Sequence, residues 1–172
     1  MAALKKQTGG TLLELAVAGI VIGIIATVFL GYMLRYQEVA EKTVMETTVI
    51  NMRTGLKWRI AELMVQDKMR DLAVVAQENP INWLAAAPSN YLGEFDNPAP
   101  ESLQPGSWYY DNGRRQLVYL PDRSYHLKPG PDGEKIIRFR VTAKTHPGEN
   151  GAPARVEGVT LSLVIPYDWP VF

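Results

Sequence analysis

One carboxylate, Glu14, stands near the start of an apolar run from Leu12 to Leu34 that holds no other charged side chain and no proline. Burying a carboxylate at the centre of a membrane-spanning helix costs about 2.5–3.5 kcal/mol on insertion scales, and less near the interface. Glu14 therefore calls for a cationic partner. The other residues able to do chemistry are sparse. Cysteine is absent, which excludes a disulfide framework, a thiolate zinc site and a cysteine nucleophile. The two histidines, His126 and His146, stand in loop-like contexts without metal-ligand spacing and read as surface polar residues. Gly130-Pro131-Asp132-Gly133-Glu134 is the nearest approach to a calcium loop, but it lacks alternating acidic ligands. Asp132 and Glu134 read as turn residues, and no cofactor is expected. There is no phosphate-binding glycine loop and no nucleophile elbow, so nothing supports an enzyme.

Basic residues give no stronger signal. Arg138, Arg140 and Lys144 line one face of an expected strand, and Arg114-Arg115 sit by a turn. From Arg35 onward, 16 basic residues face 17 acidic ones, because Lys5, Lys6 and Glu14 are the only charges before that point. A solvated sheet face is expected there, and nucleic acid is not an expected partner. Trp108, Tyr109 and Tyr110 read as core and cross-strand partners.

The elements that position these residues follow from patterning. The run Leu12–Leu34 makes a helix of about 34 Å at about 1.5 Å per residue, enough to cross a hydrocarbon core of about 30 Å. Beyond it, Met45, Val49, Met52, Leu56, Ile60, Leu63 and Leu72 recur mostly at spacings of three and four, predicting one helix that continues to about Ala76. Glu41, Lys42, Glu46, Arg53, Lys57, Arg59 and Glu62 are assigned to its solvated face. Asn79-Pro80 ends it. A proline-punctuated stretch to Gly106 reads as a loop with a short helical turn near Ile81–Ala86. The remainder predicts strands at Ser107–Tyr110, Arg115–Leu120, Ile136–Lys144 and Arg155–Ile165, the first two joined through Asn112-Gly113. The expected class is α+β. A long N-terminal helix, its inner half transmembrane and its outer half amphipathic, packs on an antiparallel sheet of about four strands with one polar face.

Two ordinary accounts of the N-terminus fall short. A cleavable secretory signal expects roughly 7–15 apolar residues before a small-x-small site. Ala16-Val17-Ala18 is preceded only by Leu12, Leu13 and Leu15 as apolar bulk. A plain signal anchor explains the length and the leading lysines, but not Glu14.

The segment Gly9-Gly10-Thr11-Leu12-Leu13-Glu14-Leu15, led by Lys5 and Lys6, resembles the prepilin-type leader of type IV pilins and type II secretion pseudopilins. The resemblance implies a leader peptide at 1–9, cut by prepilin peptidase between Gly9 and Gly10. Glu14 becomes the fifth residue of the mature chain. The new amine at Gly10, an implied N-methylation site where the family has phenylalanine, pairs with Glu14 to set subunit register during assembly. The implied layout continues with a transmembrane and assembly helix at 10–34, its amphipathic extension at 35–78, a connecting region at 79–106 and a sheet region at 107–172. Gly19 and Gly23 form a small-xxx-small pair on the helix, a weaker packing signal. The implied partners are the peptidase, other pilin or pseudopilin subunits, an inner-membrane assembly platform and the lipid bilayer. The implied location is the bacterial inner membrane, single-pass, with a cytoplasmic N-terminus and a periplasmic C-terminal domain. Some pseudopilins bind calcium near the C-terminus, which would fall near Asp132 and Glu134. The rival expectation is a membrane-tethered binding or sensing domain that never polymerises.

Overall fold

The first helix, α1, spans Leu12–Val65 and is preceded by Thr11, whose hydroxyl accepts a hydrogen bond from the Glu14 amide at 3.3 Å. This is the first half of a capping box, Thr-x-x-Glu, and it satisfies one of the amide donors that a helix start leaves open. The computed structural model describes residues 11–146 and 155–171. It divides into two units, the first ending at Gln37 and the second beginning at Glu38.

α1 stops earlier than the sequence predicts. Lys68 N–H bonds to the Leu63 carbonyl at 2.8 Å and Asp67 N–H to the Met64 carbonyl at 3.3 Å, with Asp67 at φ 56°. That is a Schellman termination with aspartate, rather than glycine, in the left-handed position. Aspartate tolerates that region better than most residues, so the stop carries no glycine signature. A 3-10 turn at Met69–Asp71 then leads into a short helix α2, Leu72–Val75. Leu72 and Val75 fold back against Leu56 and Leu63 and meet Val156 and Val159. Leu72 thus joins the buried stripe from a separate element.

The region from Pro80 is less of a loop than expected. Pro80–Trp83 forms a 3-10 turn capped by the Asn79 side chain, which accepts from Ile81 N–H. Gly55 makes its close approach to α1 possible: a Cβ there would stand 2.2 Å from the Trp83 carbonyl oxygen. Tyr91–Phe95 forms a strand, β1, that pairs in parallel with β2, Ser107–Asp111. β2 pairs antiparallel with β3, Gln116–Leu120, β3 with β4, Ile137–His146, and β4 with β5, Arg155–Leu163. The sheet therefore has five strands in sequential order and is mixed, not four-stranded and antiparallel. β1 escaped the patterning because it is five residues long and broken by Gly93 at φ 110°, with a register irregularity between Tyr91 and Glu94.

The β2–β3 connection also differs in mechanism. The residue with positive φ is Arg115, at 51°, not Asn112 or Gly113. Gly113 lies under the Asn97 side chain, whose amide would have to turn aside for a Cβ that would stand 2.3 Å from it. Asp111 Oδ1 draws the turn together by accepting from the Asn97 and Arg114 amides.

Within the second unit, the main core joins Met45, Val49 and Met52 of α1 to Trp108, Tyr110, Leu117, Tyr119, Ile137, Phe139 and Leu161 of the sheet. Trp169 and Val171 from the C-terminal tail complete it. β2 and β3 are buried on both faces. Tyr109, Val118 and Leu120 pack on the side away from α1 under Phe95, Leu103 and Ile136, so the expected polar face is confined to the outer strands.

Candidate functional site

Three features of the structure bear on function, and all three involve α1. In the first unit, the large apolar side chains of α1, from Leu12 through Ile24 and Phe29 to Leu34, are exposed. Its most apolar 18-residue window has a mean hydropathy of 2.5 with none of the window buried, and α1 is a candidate membrane span. Hydrocarbon or another apolar surface must cover such a helix. Glu14 sits in its first turn, where the helix dipole favours a carboxylate, and its side chain meets no partner among the described residues. Gly19 and Gly23 are exposed, and a Cβ at either would meet nothing within 4 Å. Among the described residues, no neighbour requires a glycine there. Lys5, Lys6, Gly9 and Gly10 lie outside the described residues, as does most of the loop after His146.

In the second unit, α1 exposes Arg53, Lys57 and Glu62 as the sequence suggests, but a further stripe of its exposed surface carries no charge. Ala40, Thr43, Thr47, Ile50, Thr54, Trp58, Ala61 and Val65 recur at spacings of three and four, and all are exposed. No charge interrupts them. Thr43 and Thr54 turn their hydroxyls onto the Val39 and Ile50 carbonyls at 2.8 and 3.0 Å, which leaves their methyl groups outward. Trp58, at 74% exposure, is the largest side chain on this face. The charged residues flank it: Glu41, Lys42, Glu46 and Arg53 bond to the domain, and Arg59 pairs with Glu62 and Glu78.

The third feature is a set of carboxylates that fasten loops to α1. Glu38 is buried, and its oxygens accept from Trp169 Nε1 at 2.8 Å and His126 N–H at 2.8 Å, with His126 Nδ1 at 2.6 Å. Burial pushes the Glu38 pKa up, but the hydrogen bonds from His126 and Trp169 and the imidazole charge outweigh it. The net displacement is below the ordinary carboxylate value. Glu41 accepts from Tyr119 Oη at 2.9 Å and from the Asp122 and Arg123 amides, each at 2.7 Å. Glu46 accepts from Tyr167 Oη at 2.9 Å, and burial together with that carboxylate raises the Tyr167 pKa to about 12. These contacts are structural ties, and each buried polar group in them is satisfied.

His126 is accordingly half-buried and paired, not a free surface residue. Glu38 was missed in the sequence, although it stands seven residues before Met45 and fourteen before Met52, on the same buried stripe. Arg138 leaves the expected basic stripe as well. Its guanidinium bonds to Asp132 at 2.5 Å and to Glu134, and its side chain is largely buried. That pairing holds the Asp132 carboxyl below its usual range. A calcium ion at Asp132 and Glu134 would have to displace the Arg138 guanidinium from both, which does not fit an open cation loop. Among the described residues, no group of three or more acidic or histidine side chains is placed to hold a metal.

No family model, curated protein or solved structure matches this chain.

Proposed function

We propose that this chain is a structural subunit of a type IV pilus-like filament or type II secretion pseudopilus, processed by prepilin peptidase and assembled through α1. The observation that carries the proposal is the exposed apolar helix with its single carboxylate, Glu14, directly after Lys5, Lys6 and the Gly9-Gly10 pair. Cleavage after Gly9 leaves an α-amino group at Gly10, about one helical turn from Glu14. In hydrocarbon, a carboxylate and an ammonium from the same or a neighbouring subunit stabilise each other, and neither is well placed alone.

The charge-free outward face from Ala40 to Val65 supports the same reading. A solvated helix face normally carries charges, and this one runs through seven helical turns without any. Such a face suits packing against other copies once subunits are gathered. Before assembly, the subunit resides in the bacterial inner membrane with its C-terminal domain on the periplasmic side, the orientation favoured by Lys5 and Lys6 at the other end.

Glu14→Leu tests the assembly role. The variant is expected to remain in the membrane fraction and to be excluded from filaments when co-expressed with the assembly machinery. Incorporation equal to the unmodified chain contradicts the proposal and favours a tethered domain that does not polymerise.

A further inference from the structure

The loop Asp122–His126 follows β3 and is held rigidly. Glu41 takes the Asp122 and Arg123 amides, Glu38 takes the His126 amide, and Lys135 Nζ bonds to the Ser124 carbonyl at 2.6 Å. Despite this fixing of its backbone, the loop turns Tyr125 outward with 86% of the residue exposed. The ring meets the His126 imidazole edge-on at 5.0 Å. A pinned loop that presents a tyrosine this exposed organises the ring for contact with something outside the domain.

The chain itself indicates what lies nearby. The anchoring carboxylates, Glu38 and Glu41, begin only four residues after the apolar run ends at Leu34. However the two units are disposed, Glu38 stays within about 14 Å of Leu34, the reach of a fully extended chain. The headgroup layer on each side of a bilayer is about 5–8 Å deep, and tyrosine is the residue type, with tryptophan, that concentrates there. Its ring takes the apolar side and its hydroxyl the wet side. Arg123 is already paired with Asp122 at 3.2 Å, so the attraction does not rest on net charge.

We infer that Tyr125, presented by the loop clamped to Glu38 and Glu41, inserts into the lipid headgroup layer and holds the second unit against the membrane. This rests on the membrane-spanning reading of the apolar run and not on the filament reading.

The absence of native cysteine allows a single label at a chosen position. Full-length chains bearing Ser124→Cys, Val21→Cys or Lys68→Cys, each labelled with nitrobenzoxadiazole, are reconstituted into vesicles of phosphatidylcholine with a minor fraction of phosphatidylglycerol. Lys68 is the distant reference, because Val65 ends α1 about 40 Å from Glu38 at about 1.5 Å per residue. Headgroup spin-labelled lipid is expected to quench the label at 124 several-fold more than the label at 68. Adding Tyr125→Asp to the Ser124→Cys chain should bring that quenching down to the reference level. Mid-chain spin-labelled lipid should quench the label at 21. Quenching at 21 with equal signals at 124 and 68 overturns the contact alone, as does quenching at 124 that persists in the Tyr125→Asp chain. No quenching at any of the three positions overturns the contact together with the membrane span.

Discussion

Glu38 illustrates how a single side chain can tie distant parts of a chain together. It joins α1 to the His126 loop and to the C-terminal tail through Trp169, and it does so while buried. Glu38→Leu removes the acceptor and leaves the indole and two His126 donors without partners. The indole is the buried donor, at about 1–3 kcal/mol when unsatisfied, while the half-buried His126 groups can turn to water, so the loss should be about 1–3 kcal/mol, measured by urea unfolding. The same residue confers acid sensitivity. Its folded-state pKa lies below the ordinary 4.5, so the stability it adds is fully present above that value and is lost as pH falls through the folded-state value. Between neutral pH and pH about 3, the unmodified chain should lose more stability than Glu38→Gln; equal losses would contradict the assignment. Gly55 gives a second test. Alanine is the better helix former by about 1 kcal/mol, yet a Cβ there meets the Trp83 carbonyl at 2.2 Å. Gly55→Ala should therefore destabilise the fold by about 1–3 kcal/mol, against propensity, as a lowered melting temperature in circular dichroism.

Among the elements, α1 changes its neighbours along its length while keeping one periodicity. The stripe Met45, Val49, Met52, Leu56 and Leu63 is visible in the sequence because burial on one helix face imposes that spacing. Strands β4 and β5 were legible for the matching reason, an alternation of two, and β2 and β3 from the turn residues between them. What patterning missed has physical causes. Asp67 ends α1 without the glycine that usually marks such a stop, and β1 is too short and too broken at Gly93 to show alternation. Glu41, Glu46 and Arg138 look like solvent charges because sequence shows a charge but not its partner. Two substitutions probe this level. Asp67→Gly should relieve the left-handed backbone strain and stabilise the chain by about 0.5–1 kcal/mol, seen as a raised melting temperature. Trp58→Glu, on the exposed face, should shift stability by no more than about 0.5 kcal/mol, yet exclude the chain from filaments. Normal incorporation would remove the charge-free face from the proposed interface.

Taken whole, the chain joins a helix that its own fold leaves uncovered to a domain whose core is closed around aromatic side chains. The domain supplies stability and a surface, while the chemistry proposed for function is concentrated in Gly9, Gly10 and Glu14. The fold class was readable from the sequence because helix and strand periodicities are imposed by burial. The proposed cleavage and register pairing are not matters of burial, since they depend on an enzyme and on neighbouring subunits. They rest on a short pattern of residue types, and a direct chemical measurement reaches them best. Mass spectrometry of the chain recovered from membranes of cells that express prepilin peptidase should find a mature N-terminus at Gly10, with or without a methyl group on its amine. A chain that retains Lys5, Lys6 and Gly9 under those conditions would contradict the account.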